Sequence, residues 1–136
     1  MKKLLFPILS LSLFATALAV DWPQWRGPNR NDLTPEKIKW PSSGPKELWR
    51  VEVGTGYACA VESNGRVYTI GNDGKDISLG QWKSRPDPNE EGDNDTVWCF
   101  DAKTGKVIWK YEYKAKNGSP TYPGPRATPT VDGDFV

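Results

Sequence analysis

The 136-residue chain carries 18 basic and 17 acidic residues, 12 prolines, 13 glycines and seven tryptophans, with no histidine. A near-neutral chain with interspersed signs has no electrostatic footprint for nucleic acid or an anionic membrane, and without histidine it lacks the usual metal ligand and the usual general base near neutral pH. Ser–His–Asp and Cys–His catalysis are therefore excluded within this segment, and so high an aromatic content is foreign to a disordered chain.

Residues 1–19 read as a secretory signal peptide. Lys2 and Lys3 form a positive n-region, an apolar h-region broken by Pro7, Ser10 and Ser12 follows, and Ala17-Leu18-Ala19 supplies the small residues of a peptidase site. A membrane anchor is the competing reading. It is disfavoured because the apolar stretch is short and interrupted, and Asp21 and Arg26 follow at once. Val20, not Cys, succeeds the small residues, so the expectation is a periplasmic or secreted protein without a lipid anchor. Loss of Lys2 and Lys3 leaves 16 basic residues against 17 acidic ones, a net charge of −1. No other stretch is long or apolar enough to cross a bilayer, so no membrane span is expected after cleavage.

Residues 20–45 show no sustained periodicity. Asp21-Trp22-Pro23-Gln24-Trp25-Arg26-Gly27-Pro28 runs into the polar turn Asn29-Arg30-Asn31-Asp32, and Pro35, Pro41 and Pro45 forbid a long helix. Thr34-Pro35-Glu36-Lys37 suits one short capped turn. The segment reads as an irregular lead-in anchored by Trp22 and Trp25. Their apolar area favours pinning the lead-in to the fold, and stacking a ligand with Arg26 over an aromatic face is the alternative.

From residue 46 the character changes. Trp49, Val51 and Val53 alternate with Arg50 and Glu52, which predicts a strand over 47–53. Further strands are predicted over 58–62, 66–70, 96–100 and 106–113. Asn64-Gly65 between the second and third is a two-residue hairpin signal, because both residues tolerate positive φ. Cys59 and Cys99 fall in apolar strand-like runs. They would pair in an oxidising compartment or stay buried as free thiols, and spacing does not decide between these. A polar excursion covers 71–95, with Asp73, Asp76, Asp87, Glu90, Glu91, Asp93 and Asp95. Closely spaced carboxylates would suit calcium, but the loop lacks EF-hand spacing and lysines dilute it, so a solvated insertion is the favoured reading.

The pattern repeats. Leu48-Trp49-Arg50 recurs as Ile108-Trp109-Lys110, and Asn64-Gly65-Arg66-Val67-Tyr68 as Asp132-Gly133-Asp134-Phe135-Val136. With 71–95 counted as an insertion, the period falls near ~40 residues, the length of a four-stranded propeller blade. A β-sandwich with recurring hairpins is weaker, because two motifs recur in the same order. The expectation is an all-β chain, a β-propeller of four-stranded blades with about one and a half blades in 46–136, truncated before the ring could close.

Asp101-Ala102-Lys103-Thr104-Gly105-Lys106-Val107-Ile108-Trp109 has a physical logic. Asp101 would accept turn amides two residues on, Gly105 suits the left-handed residue closing a hairpin loop, and Trp109, like Trp49, would wedge between neighbouring sheets. This element resembles the Asp-x-x-Thr-Gly-x-x-x-Trp repeat of the pyrroloquinoline-quinone-type (quinoprotein-like) β-propeller family. The run from Asp21 to Pro28 is similar to the mature start of secreted bacterial members, and Tyr122-Pro123-Gly124-Pro125-Arg126-Ala127-Thr128-Pro129-Thr130-Val131 resembles the start of one of their blades. Ser43-Gly44-Pro45 stands before Trp49 where the Asp-x-x-Thr-Gly portion would be.

The family divides between dehydrogenases, which hold the quinone over the propeller axis, commonly with Ca²⁺, and proteins that keep the fold without the cofactor. The latter include the propeller lipoprotein of the outer-membrane assembly machinery. The dehydrogenases carry an adjacent Cys-Cys pair, a catalytic Asp and calcium carboxylates. Here Cys59 and Cys99 are far apart, and no residue matches the catalytic Asp, so no catalytic or metal residue is assigned. Arg126, beside Tyr122 and matched by Tyr57 in the preceding unit, lies in loops that the resemblance puts near the channel. An Arg fork there would hold a carboxylate or the quinone acid, and an inter-blade bond is the plainer reading. Asn94-Asp95-Thr96 and Asn117-Gly118-Ser119 fit the glycosylation pattern and are discounted, because the resemblance is to bacterial proteins. The resemblance implies a binding or assembly scaffold with a protein, small-molecule or carbohydrate ligand. A quinone-dependent dehydrogenase of alcohols or sugars is the alternative, and a carbohydrate-binding module using exposed Trp is the third reading.

Overall fold

A computed structural model describes residues 20–73, 94–115 and 124–136 of the chain. Four strands, β1 (Val61–Ser63), β2 (Arg66–Asn72), β3 (Asn94–Asp101) and β4 (Val107–Lys114), form one antiparallel sheet in sequence order. The protein is all-β, with no helix among the described residues. No described helix is long and apolar enough to cross a membrane.

The β1–β2 turn follows from local chemistry. Ser63 pairs with Arg66, and the two loop residues, Asn64 and Gly65, both sit at positive φ, 52° and 71°. That is the conformation whose twist matches the strands it joins. β2 and β3 then pair from Arg66↔Asp101 to Asn72↔Asp95, so both strands run two residues into the predicted polar excursion. Their ends are tied by side chains as well as backbone: Asn72 Nδ2 donates to Asp95 Oδ1 at 2.8 Å. β3 and β4 pair with a register shift between Cys99 and Phe100.

Strand alternation divides the core between two faces. On one, Val61, Tyr68 and Cys99 form a buried cluster against which Trp109 and Val131 pack. On the other, Trp98 stacks on Phe100 with ring centroids 5.7 Å apart, and Trp49 lies 6.1 Å from Phe100. Phe100 is 2% exposed, and burying such a ring contributes roughly 1.5–3 kcal/mol. The sheet is thus covered on one face from the upstream side of the chain and on the other from the downstream side.

Two strand predictions are corrected. Residues 47–53 join no ladder, because backbone pairing with the β2 edge begins only beyond them, at Thr55. They instead lie over the sheet, where Trp49 docks and the Val53 carbonyl closes on Gly71, and a backbone bridge forms only at Thr55↔Asn72. Within 58–62 only Val61 and Glu62 are in a strand, since the amides of Tyr57 and Cys59 are taken by residues 125 and 128. The repeat alignment also shifts by one. Asp132 pairs with Phe135 across Gly133-Asp134, so Asp132 matches Ser63, not Asn64. Only Gly133 of that loop has positive φ, 58°, which makes it a different turn from its counterpart. Cys59 and Cys99 are both free thiols, the first exposed and the second buried. The predicted signal segment 1–19, Trp82, Tyr122, Asn117 and the excursion carboxylates between 74 and 93 lie outside the described residues.

Candidate functional site

The most fully built constellation is the β3–β4 turn and the indole seated on it. Asp101 Oδ1 accepts from the Lys103 amide at 3.1 Å, the Thr104 amide at 2.8 Å and the Thr104 hydroxyl at 2.8 Å. These donors, the Thr104 hydroxyl first and its amide next, hold the Asp101 carboxyl below the usual carboxylate range. The Gly105 amide donates to the Asp101 carbonyl at 2.9 Å, and Gly105 adopts φ +68°. The Ala102 amide reaches across to the Gly65 carbonyl at 3.0 Å, so this turn and the β1–β2 turn brace one another.

Trp49, 53 residues upstream, completes the arrangement. Its indole N–H donates to the Ala102 carbonyl at 2.9 Å, and its ring lies on Gly105 so closely that a Cβ there would fall 2.6 Å from the indole. Trp109 sits on the opposite face, its ring 5.9 Å from that of Tyr68. With Val97, Tyr111, Asp134, Phe135 and Val136 it lines a cavity of about 290 Å³. Each tryptophan thus links sheet to neighbouring segment, Trp49 from upstream onto the turn and Trp109 from the sheet towards the hairpin at 132–135.

The lead-in is held through Trp22. Its amide and carbonyl exchange hydrogen bonds with Glu62 at 2.8 and 3.0 Å, and the Pro23 carbonyl accepts from Val131 at 2.8 Å. Asp21 Oδ2 accepts from Ser63 Oγ at 2.8 Å and from the Asn64 amide at 3.0 Å. Trp25 does not share this anchoring role. It is 62% exposed, with the Arg26 guanidinium 5.7 Å above its ring and Arg26 Nε paired to Asp32 at 2.7 Å.

Tyr57 and Arg126 lie on two segments that run side by side in the same direction. Gly124 closes on the Thr55 carbonyl, the Tyr57 amide donates to the Pro125 carbonyl at 2.8 Å, and the Cys59 amide donates to Thr128 Oγ1 at 3.1 Å. Both side chains are exposed. No group of three potential metal ligands converges among the described residues.

The thiol of Cys99 is pushed up by burial, and the phenol of Tyr68 is raised chiefly for the same reason. A buried, protonated thiol is a packing group and a poor nucleophile. At the mouth of the excursion, Asp73 accepts from Asn94 through both its amide, 2.6 Å, and its side chain, 3.0 Å. These bonds hold the Asp73 carboxyl below its ordinary range. Sequence reasoning did not find this latch, although an Asp-to-Asn pair flanking an excursion is a readable signal. Comparison with family models, with curated proteins and with solved structures returned no match.

Proposed function

We propose that the chain belongs to an exported quinoprotein-like β-propeller repeat protein that acts as a binding or assembly scaffold. The observation that carries this reading is the parallel seating of 55–59 against 124–128. Consecutive strands joined by tight hairpins run antiparallel, whereas equivalent segments of units rotated about a common axis run parallel. Trp49 on the Asp101–Gly105 turn supplies the neighbour-to-neighbour contact that repeat architectures need. The leader pattern at 1–19 supports export. The lead-in presents Trp25, Leu33, Ile38 and Trp40, all more than half exposed, which is apolar surface of the kind that recruits partners.

Titration calorimetry of the full protein with pyrroloquinoline quinone, with and without Ca²⁺, tests the scaffold. No saturable heat is expected. Stoichiometric binding followed by quinone-dependent oxidation of an alcohol would overturn the reading in favour of a dehydrogenase.

A further inference from the structure

β4 is the outer strand of the sheet. Among the described residues its ladder partner is β3 alone, and its residues other than Trp109 are exposed. Such an edge presents a row of backbone donors and acceptors to any strand that can match it. Trp109, Tyr111 and Tyr113 alternate along one face, with Tyr111 and Tyr113 6.1 Å apart. Ile108, Lys110, Glu112 and Lys114 alternate along the other, with Lys110 Nζ 2.8 Å from Glu112 Oε1.

This order of residues is complementary to itself. Antiparallel pairing of β4 with β4 of a second copy, about a two-fold axis through Tyr111, sets Lys110 opposite Glu112 and Trp109 opposite Tyr113. Tyr111 then faces itself. Opposite charges and aromatic pairs directly across antiparallel strands are the favourable combinations. A shift of two residues one way sets Lys110 against Lys110, and the other way Glu112 against Glu112, both repulsive. A dyad through a residue satisfies the backbone pattern whichever residues of β4 turn their N–H and C=O outward. We propose that β4 is a homodimerisation edge, joining two copies into one continuous antiparallel sheet with Tyr111 on the dyad. The interface is isologous, so each ion pair occurs twice. It rests on the sheet alone and goes beyond the scaffold reading, which can fail without touching it.

Analytical ultracentrifugation of the full chain reads the association. A reversible dimer is expected. Lys110→Glu and Glu112→Lys should each weaken it about tenfold, because two attractive pairs become repulsive. Combining the two substitutions restores opposite charges across the dyad and should restore the dimer. Variants are compared only where circular dichroism matches the parent. A second measurement does not depend on charge. In a Cys59→Ser background, Tyr111→Cys should cross-link on oxidation, since directly opposed residues have Cα atoms about 4.5–5.5 Å apart, within disulfide reach. Tyr113→Cys should not, because its counterpart across the dyad is residue 109. A chain monomeric up to about 100 μM, a dimer indifferent to single reversal or unrestored by the double change, or cross-linking at 113 in place of 111 overturns the proposal.

Discussion

Gly105 serves the turn and the docked indole at once. Its φ of +68° is a region that costs an L side chain roughly 1–2 kcal/mol, and the space a Cβ would fill belongs to Trp49. Gly105→Ala should therefore lower the unfolding free energy by about 2 kcal/mol or more, read by urea denaturation. A loss below about 0.5 kcal/mol would mean that the ring slides aside without consequence. Asp101 offers a test by pH. Its folded carboxyl lies below the ordinary Asp value, so its stabilisation is complete above that value and is lost as pH falls through the lowered one. Thr104→Val removes the hydroxyl donor and should move the Asp101 titration, followed by NMR, upward towards the unperturbed range. An unmoved titration would show that the backbone amides suffice.

At the scale of elements, hairpins were legible and isolated strands were not. Asn64-Gly65 and the Asp101–Gly105 turn carry their conformation in local chemistry, so the sheet β1-β2-β3-β4 follows from them once the excursion is bridged. The alternating run at 47–53 looks the same on paper as β4. Only backbone pairing makes a ladder, and here it begins past the run, at the Thr55↔Asn72 bridge with β2. Register places Cys99 between Tyr68 and Trp109 on the inner face of β3, whereas Cys59 falls on a segment outside the sheet. In the native protein a thiol reagent should label Cys59 alone, and Cys99 only after denaturation. Equal labelling of both would mean that the sheet opens readily at β3. That contrast was hidden in the sequence, where both cysteines stand in apolar runs of similar appearance.

Over the whole molecule, the segments 55–59 and 124–128 are brought together by contacts far apart in the chain. Because the Cys59 amide bonds the Thr128 side chain, Thr128→Cys should oxidise to an internal disulfide with Cys59 without loss of fold. Mass spectrometry under non-reducing conditions reads it. Failure to close under oxidant, with both thiols reactive, would argue against parallel seating. The lead-in crosses the same junction, bonding Glu62 through Trp22 and Val131 through Pro23. Spacing of Trp, Asp and Gly leads to the expectation that units recur. It did not reveal that Asp132 matches Ser63, because the two hairpins use different turn types.

The sequence by itself determined that the chain is all-β and where its sharp turns fall, since φ preferences and period-two alternation act over a few residues. It also fixed the chemistry in hand, without histidine and with tryptophan in abundance. Only the tertiary structure decided that Trp49 lands on Gly105, that 47–53 stays out of the sheet, and that Trp22 anchors the lead-in while Trp25 faces solvent. These outcomes depend on which surfaces meet across dozens of residues, and burial is a property of the assembled fold that no local pattern encodes.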